Sequence, residues 1–211
     1  KETKVPVVVI GQHTNLANCI YHDDYGAGKA MGQTVAGFSK KGIAYIGVTR
    51  DDKAAGAARE DGFIAGLKNT GITLLEENKR TSAFTLESGY EAALDLLESK
   101  CDIDVISCAT DTIAAGAIEA IQTYLKKQIP TNAADAGARM RYILENTSIR
   151  VTGFGDNQML KAVTGGIPTI HFGYKTSGIR GAELLLDSIE RGEQIPIEMK
   201  LGFRLVGADP S

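Results

Sequence analysis

Segments with the pattern of a buried strand alternate with amphipathic helical segments along almost the whole chain. The first strand is predicted at Val5–Gly11, where the apolar, β-branched run VPVVVIG is typical of a sheet that is covered on both faces. A helix is predicted over Asp24–Lys41, because Met31, Val35 and Phe38 recur at intervals of four and three residues. Strict strand–helix alternation with short loops predicts an α/β fold with a parallel, doubly wound sheet.

The remaining elements follow the same alternation. Strands are predicted at 43–48, 72–78, 105–110, 149–155, 169–173 and 201–206, and helices at 57–69, 86–100, 112–126, 133–144 and 176–191. The helix at 133–144 stands where a short loop would have sufficed. No Pro/Gly-rich linker divides the chain, so any boundary between subdomains is expected where the chain crosses between strands.

Charge and hydrophobicity argue against two kinds of partner. The 211 residues include 23 basic and 26 acidic side chains, for a formal net charge of −3. A charge so close to neutral gives no electrostatic reason to expect this chain to bind nucleic acid alone. The sequence also has no run of about 18 apolar residues, which a membrane-spanning helix would need.

Three cysteines, Cys19, Cys101 and Cys108, are too few for a disulfide framework. The surrounding segments ANCIY and VISCAT are apolar, which predicts buried thiols and favours a reduced, cytoplasmic setting. The first residues have no signal-peptide pattern, and they enter a strand as if the sequence continued upstream.

The stretch His22–Gly32 reads HDDYGAGKAMG and combines three candidate metal ligands with glycines and a lysine. Adjacent side chains diverge on a strand or a helix, so His22, Asp23 and Asp24 cannot easily converge on one ion. We interpret the stretch as a helix start, in which Asp24 or Asp23 caps the helix and small residues let the first turn approach a strand.

Catalytic motifs are missing from the sequence. It contains no GxxxxGK[ST] phosphate loop and no GxSxG nucleophile elbow. The segment GFGDNQ has the first two glycines of a dinucleotide loop but lacks the third. The three histidines, His13, His22 and His171, do not have the HExxH spacing of a metalloprotease. A catalytic site assembled from distant residues stays open as an alternative.

Ligands of doubly wound sheets bind beyond the carboxyl ends of the strands, and there this chain is polar, charged and aromatic. The residues at these ends are Gln12, His13, Thr49–Asp52, Phe84, Thr110, Asp111, Gly155–Asn157 and Gly173–Lys175. Carboxylate, amide and guanidinium groups bind sugar hydroxyls through several hydrogen bonds, and an aromatic ring packs on the apolar face of a pyranose. The set therefore resembles a sugar-binding cleft, although loop solvation or helix capping would explain each residue alone.

Several motifs follow one another in a characteristic order along nearly the whole chain. They are VPVVVIG, IYHDDYGAGKAMGQTVAGFSKKGIAYIGV, AREDGF, ATDTIAAGAIEAI, VTGFGDN and TIHFGYKTSGIRGAELL. This order resembles the effector-binding core of the LacI/GalR family of bacterial transcription repressors. The segments DDYGA, DKAAGAAR, ESGY, CATDT and GYK are similar to its disaccharide-responsive members, including trehalose repressors.

The resemblance implies a type I periplasmic-binding-protein-like fold, in which three crossovers join two Rossmann-like subdomains. The N-terminal subdomain would comprise 1–20 and 168–196, and the C-terminal one 21–167 and 197–211. The family's helix-turn-helix, its hinge and the first part of its N-terminal subdomain would precede this chain. The resemblance further implies a homodimer that needs no cofactor. This dimer would bind operator DNA only through the helix-turn-helix domain.

The resemblance also assigns candidate effector-binding residues by position. Arg59, in an Arg-x-x-Gly-Phe box, would grip sugar hydroxyls or a phosphate with its planar fork. Phe84 and Tyr174 occupy aromatic positions, Phe84 on the C-terminal subdomain and Tyr174 on the N-terminal one. Thr110 replaces the asparagine usual in the family, and Asp111 after it is expected to cap the next helix.

Three further candidates come from the same alignment of motifs. Gly155 stands where the family has its first effector-binding acid, so Asp156 or Asn157 is expected to substitute for that acid. Gln12 and His171 are candidates on the N-terminal subdomain. The segment Thr131–Asn146 is longer than the family's usual loop and has no functional interpretation.

The function implied is that of a sugar-responsive regulator. A sugar held between the subdomains would change how the two N-terminal subdomains of a dimer pack, and thereby the affinity for operator DNA. Arg59 and Lys175 are compatible with a phosphorylated disaccharide; trehalose 6-phosphate, sucrose and a fructose phosphate are the candidates. The alternatives are a periplasmic receptor of a sugar transport system with the same fold, and a doubly wound nucleotide or flavin enzyme. The AREDGF box and the unpaired cysteines favour the regulator.

Overall fold

The computed structural model describes residues 5–99, 101–125, 136–192 and 195–207. The chain divides into two compact units, and it crosses from one to the other three times. Unit 1 comprises Lys1–Asp23 and Phe172–Arg204, and unit 2 comprises Asp24–His171 and Leu205–Ser211. Every strand pair whose register is defined is parallel, so the predicted α/β fold class is confirmed.

Unit 1 contains a three-stranded sheet in the order β1–β2–β8, together with one long helix. These elements are β1 (Val8–Ile10), β2 (Asn18–His22), β8 (Glu198–Leu201) and α7 (Tyr174–Arg191). Cys19 and Ile20 of the central strand are fully buried. The sequence predicted neither β2 nor β8 as separate strands. One strand was predicted at 201–206, but β8 ends at Leu201 and β9 begins only after Gly202.

Unit 2 contains a four-stranded parallel sheet in the order β4–β3–β5–β6. Its elements are α1 (Asp24–Phe38), β3 (Ile43–Gly47), α2 (Arg59–Lys68), β4 (Lys79–Thr81), α3 (Leu86–Glu98), β5 (Val105–Cys108), α4 (Asp111–Leu125), α5 (Ala136–Glu145), β6 (Arg150–Thr152) and α6 (Gln158–Thr164). The strands β7 (Thr169–Phe172) and β9 (Phe203–Val206) form a further pair. The chain passes from one unit to the other within each of these two strands.

The division differs from the expected subdomains chiefly at the third crossover. Residues 197–211 were expected in the C-terminal subdomain, but the chain stays in unit 1 up to Arg204. The reason is that β8 pairs with β2, with Cys19 opposite Glu198 and His22 opposite Leu201. Similarly, residues 168–171 lie in unit 2, because the N–H groups of Gly153 and Gly155 donate to the carbonyls of Pro168 and Ile170 at 2.9 Å.

Four glycines bring α1 and α2 into backbone contact. They are Gly28 and Gly32 on α1, and Gly62 and Gly66 on α2. A Cβ atom added to Gly62 would lie only 2.1 Å from the carbonyl oxygen of Tyr25, and one added to Gly28 would lie 2.3 Å from that of Arg59. The small residues of α1 were expected to approach a strand. Their partner is instead the helix α2.

The third predicted strand, 72–78, was placed too early. Residues 72–75 have no regular structure, Glu76–Asn78 forms a single 3₁₀ turn, and β4 begins only at Lys79. The buried Asn78 amide donates to the carbonyl of Ile43 at 3.2 Å, which fixes the turn beneath β3. Pairing with β3 therefore starts one residue later, with Lys79 opposite Tyr45.

Other helix predictions were met in part. Helix α6 was not predicted; the Asn157 side chain caps it by accepting the N–H groups of Met159 and Leu160. The predicted helix at 133–144 corresponds to α5, but 133–135 lie outside the described residues, as do the predicted helix ends at 100 and 126.

The three cysteines differ in burial. Cys19 and Cys108 are buried as expected, whereas Cys101 is partly exposed, with its Sγ 3.1 Å from the Ser99 hydroxyl. Within the described ranges, no three His, Cys, Asp or Glu side chains are grouped so that they could hold a metal ion. Nor does any helix in those ranges have the length and hydrophobicity needed to cross a bilayer.

Candidate functional site

A π-helical turn leads the chain into Arg59. The turn spans Lys53–Ala58, and the carboxylate of Asp52 caps it by accepting the N–H groups of Ala54 and Ala55. Helix α2 continues directly from the turn, beginning at Arg59. Because π-helical turns are rare and are often found at functional sites, the region after β3 is a candidate functional site.

The Arg59 guanidinium connects three elements at the carboxyl edge of the unit 2 sheet. Its Nε donates to Asp24 Oδ1 at 2.8 Å, and its Nη1 donates to the carbonyl of Ala109 at 2.7 Å. The side chains of Arg59 and Asp24 are only 12% and 8% exposed. Arg59 therefore holds α1, α2 and the end of β5 together, whatever else it binds.

The ring of Phe154, which follows β6, packs against the guanidinium of Arg59. The guanidinium carbon lies 4.6 Å from the centroid of the Phe154 ring, within the range of a cation–π contact. Neither Asp24 nor Phe154 was predicted as a neighbour of Arg59. The motif GFGDN shows an aromatic residue at the end of a strand, which is the one signal that could have identified Phe154.

Thr110, and not Asp111, caps the helix α4. Thr110 Oγ1 accepts the N–H of Ile113 at 3.2 Å, so Thr110 caps α4. Asp111 was expected to be that cap. Its carboxylate instead accepts the Thr169 hydroxyl at 2.7 Å and the N–H of Asn157 at 2.6 Å, which links the start of α4 to β7 and α6.

Burial raises the pKa of Asp111 above that of an ordinary aspartate, although its hydrogen bonds from Asn157 and Thr169 oppose the shift. A carboxyl group whose pKa is higher in the folded state stabilises the fold less as pH rises, because the folded state loses a proton that it had held more tightly. The unfolding free energy of wild type minus that of Asp111→Asn should therefore fall as pH rises. The fall is expected from pH about 4, the pKa of an unfolded aspartate, through the raised pKa of the folded state. Urea unfolding of both proteins at a series of pH values measures this difference, and an increase with pH would contradict the assignment.

Asp156, in the loop between β6 and α6, forms a pair with His171 of β7. Asp156 Oδ2 lies 2.7 Å from His171 Nδ1, and the two side chains are 8% and 41% exposed. The other carboxylate oxygen, Oδ1, is buried without a hydrogen-bond partner among the described residues. Asp156 was predicted to contact the effector, and His171 was expected on the N-terminal subdomain. In the structure His171 belongs to unit 2, and it is the more exposed member of the pair.

The remaining candidates lie apart from this cluster. Phe84 is exposed after the edge strand β4, just before the Thr85 hydroxyl caps α3. Gln12 is exposed in the loop between β1 and β2 of unit 1. Tyr174, also in unit 1, is exposed at the start of α7 and packs edge-on against His22, with 5.3 Å between ring centroids.

A cavity of about 110 Å³ lies beside Asp111 and Asp156, between the loop that follows α6 and the end of β9. Pockets for small organic ligands are usually about 300–1,000 Å³, so this cavity is too small for a disaccharide. The candidate ligand-binding residues of unit 2 are instead Arg59, Thr110 and His171, which are partly exposed at the carboxyl ends of the strands, with the buried Phe154 ring beneath Arg59. These residues offer a guanidinium, a hydroxyl and an imidazole, which are groups suited to a polyhydroxylated ligand.

Two parallel α/β units joined by three chain crossings define a protein of the type I periplasmic-binding-protein class. The sequence profile of the periplasmic binding protein domain family matches residues 1–164, and the chain belongs to that family. Within it, the chain corresponds to the effector-binding core of the LacI/GalR repressors, so the resemblance seen in the motif order is confirmed.

Relatives and solved structures agree with this placement. The sucrose operon repressor of Staphylococcus xylosus is 29% identical over 202 residues, which cover 94% of this chain and 57% of the repressor. A complex of the transcriptional regulator CelR with cellobiose has a TM-score of 0.78 at 21% identity, covering 94% of this chain and 57% of that one. The trehalose repressor from Escherichia coli has a TM-score of 0.72 at 20% identity, covering 94% and 68%. This chain thus spans little more than half the length of the sucrose operon repressor.

Proposed function

We propose that this chain is the sugar-binding part of a cytosolic transcription regulator, and that its effector is a disaccharide or a disaccharide phosphate. The observation that carries the proposal is the group of polar and aromatic side chains around Arg59, at the edge where doubly wound folds bind ligands. The names of three related proteins refer to sucrose, cellobiose and trehalose, all of which are disaccharides, and they support the same class of ligand.

Arg59 is the residue through which binding is proposed to act on the rest of the protein. Its partner Asp24 is the first residue of unit 2 after the first chain crossing. A sugar that takes hydrogen bonds from Arg59 competes with Asp24 and the Ala109 carbonyl, so it changes the bonding at that crossing. This ligand would alter operator affinity in a homodimer only if it favours one arrangement of the protein over another.

A thermal-shift screen tests the proposed ligand class directly. The panel contains sucrose, trehalose, cellobiose, trehalose 6-phosphate and sucrose 6-phosphate, with mannitol as a polyol control. A ligand at 100 times its Kd stabilises the folded state by about 2.7 kcal/mol, so at least one disaccharide should raise the melting temperature and mannitol should not. If none of the sugars raised it, sugar binding would be refuted.

A transport receptor of the same fold is the competing function. The family profile takes its name from periplasmic proteins, so family membership alone does not separate the two functions. The gene does separate them: a helix-turn-helix encoded in the same reading frame would exclude a receptor, whereas an export signal would exclude the regulator. The sucrose, cellobiose and trehalose proteins that resemble this chain are all named as regulators or repressors, which favours regulation.

A further inference from the structure

Asp156 and His171 form a hydrogen-bonded unit in which only the imidazole is presented to solvent. Asp156 is 8% exposed, and one of its oxygens is bonded to His171 Nδ1 at 2.7 Å. The other imidazole nitrogen, Nε2, has no hydrogen-bond partner in the part of the chain that the structure describes. The carboxylate is therefore withdrawn from the surface at which it was expected to meet a ligand, and the imidazole takes its place.

The backbone at Asp156 supports a dedicated arrangement. Asp156 has a φ of 51°, and no other non-glycine residue in the described ranges has a positive φ. Aspartate and asparagine visit this left-handed region more readily than other side chains do, and such residues cluster at ligand sites. The N–H of Asp156 donates to the Thr169 hydroxyl at 3.3 Å, and the carboxylate holds His171, so both ends of the residue are anchored to β7.

We propose that His171 Nε2 accepts a hydrogen bond from a sugar hydroxyl, and that Asp156 is a positioning residue that fixes the imidazole for this purpose. An ionised carboxylate can only accept, so Nδ1 carries the proton that joins the pair. The neutral imidazole then offers Nε2 as an acceptor in a fixed direction. This inference rests on the proposed sugar-binding function and assigns a role that Gly155, which lacks a side chain, cannot perform.

Two substitutions of His171 separate recognition from structural support. The amide of His171→Asn lies where Nδ1 was and keeps the bond to Asp156, but it has no atom at the position of Nε2. The longer His171→Gln places its amide near the position of Nε2. We expect His171→Asn to weaken binding of the sugar found in the screen about tenfold, the loss of one hydrogen bond, and His171→Gln to retain most of the affinity. If His171 only supported Asp156, the order would be reversed, and that result would overturn the proposal.

Asp156→Asn tests the positioning role with a side chain that also tolerates the positive φ. The asparagine amide can donate to Nδ1, which moves the imidazole proton to Nε2 and turns the acceptor into a donor. We expect ¹⁵N spectra of the imidazole at pH 8 to show the proton on Nδ1 in wild type and on Nε2 in the variant, and titration calorimetry to show about tenfold weaker sugar binding. Because the asparagine oxygen can also accept from Nδ1, the result that would refute the positioning role is unchanged sugar affinity in a variant whose imidazole proton has moved to Nε2.

These measurements distinguish failure of the inference from failure of the proposed function. If wild type and His171→Asn bound sugar equally tightly, the recognition role of Nε2 would be overturned and the sugar-binding proposal would stay intact. Wild-type protein that binds no sugar in the panel would overturn both, whereas the tautomer spectra would still decide how Asp156 and His171 are bonded.

Discussion

Replacing Arg59 by alanine is expected to lower the free energy of unfolding by about 3–5 kcal/mol, the usual effect of removing one partner of a buried ion pair. The Asp24 side chain, which is only 8% exposed, would lose the 2.8 Å bond that it accepts from Nε. The carbonyl of Ala109 would lose its bond from Nη1 as well. Urea unfolding followed by circular dichroism measures the loss, and a change below about 1 kcal/mol would show that water replaces the guanidinium.

The double variant Asp24→Asn/Arg59→Gln is the matched control for this loss of stability. Two neutral amides leave no uncompensated charge, so the double variant should recover much of the stability that Arg59→Ala loses. Both proteins should nevertheless fail to bind the sugar that stabilises wild type, because neither has the guanidinium fork. Calorimetry well below the melting temperature of each variant measures binding without interference from unfolding. Full retention of binding would refute the effector role of Arg59.

Replacing Gly62 by alanine is expected to lower the free energy of unfolding by about 1–3 kcal/mol. The new methyl group would lie 2.1 Å from the carbonyl oxygen of Tyr25, so α1 and α2 would have to move apart. This cost outweighs the gain of about 1 kcal/mol that alanine brings to a helix interior. Denaturant unfolding of the variant gives the net value.

Gly37→Ala on α1 is the control for that prediction. A Cβ at Gly37 meets nothing within 4 Å, so alanine there should leave stability unchanged or raise it slightly. Equal effects of the two substitutions would mean that the helices separate without cost, and that close backbone contact does not hold them together.

Periodicity in the sequence was sufficient for the sheet class and for the longest helices. Helix α1 begins at the predicted Asp24, and β3 and β5 lie within their predicted ranges. Two other elements were missed: β2, whose sequence NCIYH lacks the continuous apolar run of β3, and α6, whose seven residues span only about two helical turns. β2 is defined by its pairing with β1 and β8, and α6 by its Asn157 cap.

The candidate site, like the fold, could be predicted from the sequence only in part. Arg59 could be singled out from its motif, but its bonds to Asp24 and Ala109 join residues 35 and 50 positions away, and no local pattern encodes them. Thr110 and Asp111 are adjacent polar residues before a helix, so either could have been the cap. The choice depends on Thr169 and Asn157, which approach Asp111 only in the folded chain.

The pairing of β2 with β8 has a consequence for the growing chain on the ribosome. β2 ends at His22, whereas its neighbour β8 begins only at Glu198. At the 5–20 residues per second typical of synthesis, one edge of β2 waits roughly 10–35 s for its partner strand, while most of unit 2 is already made and able to fold. An unpaired strand edge of apolar residues is a template for self-association. Nascent chains that stop before residue 198 should therefore depend on chaperones more than completed ones do.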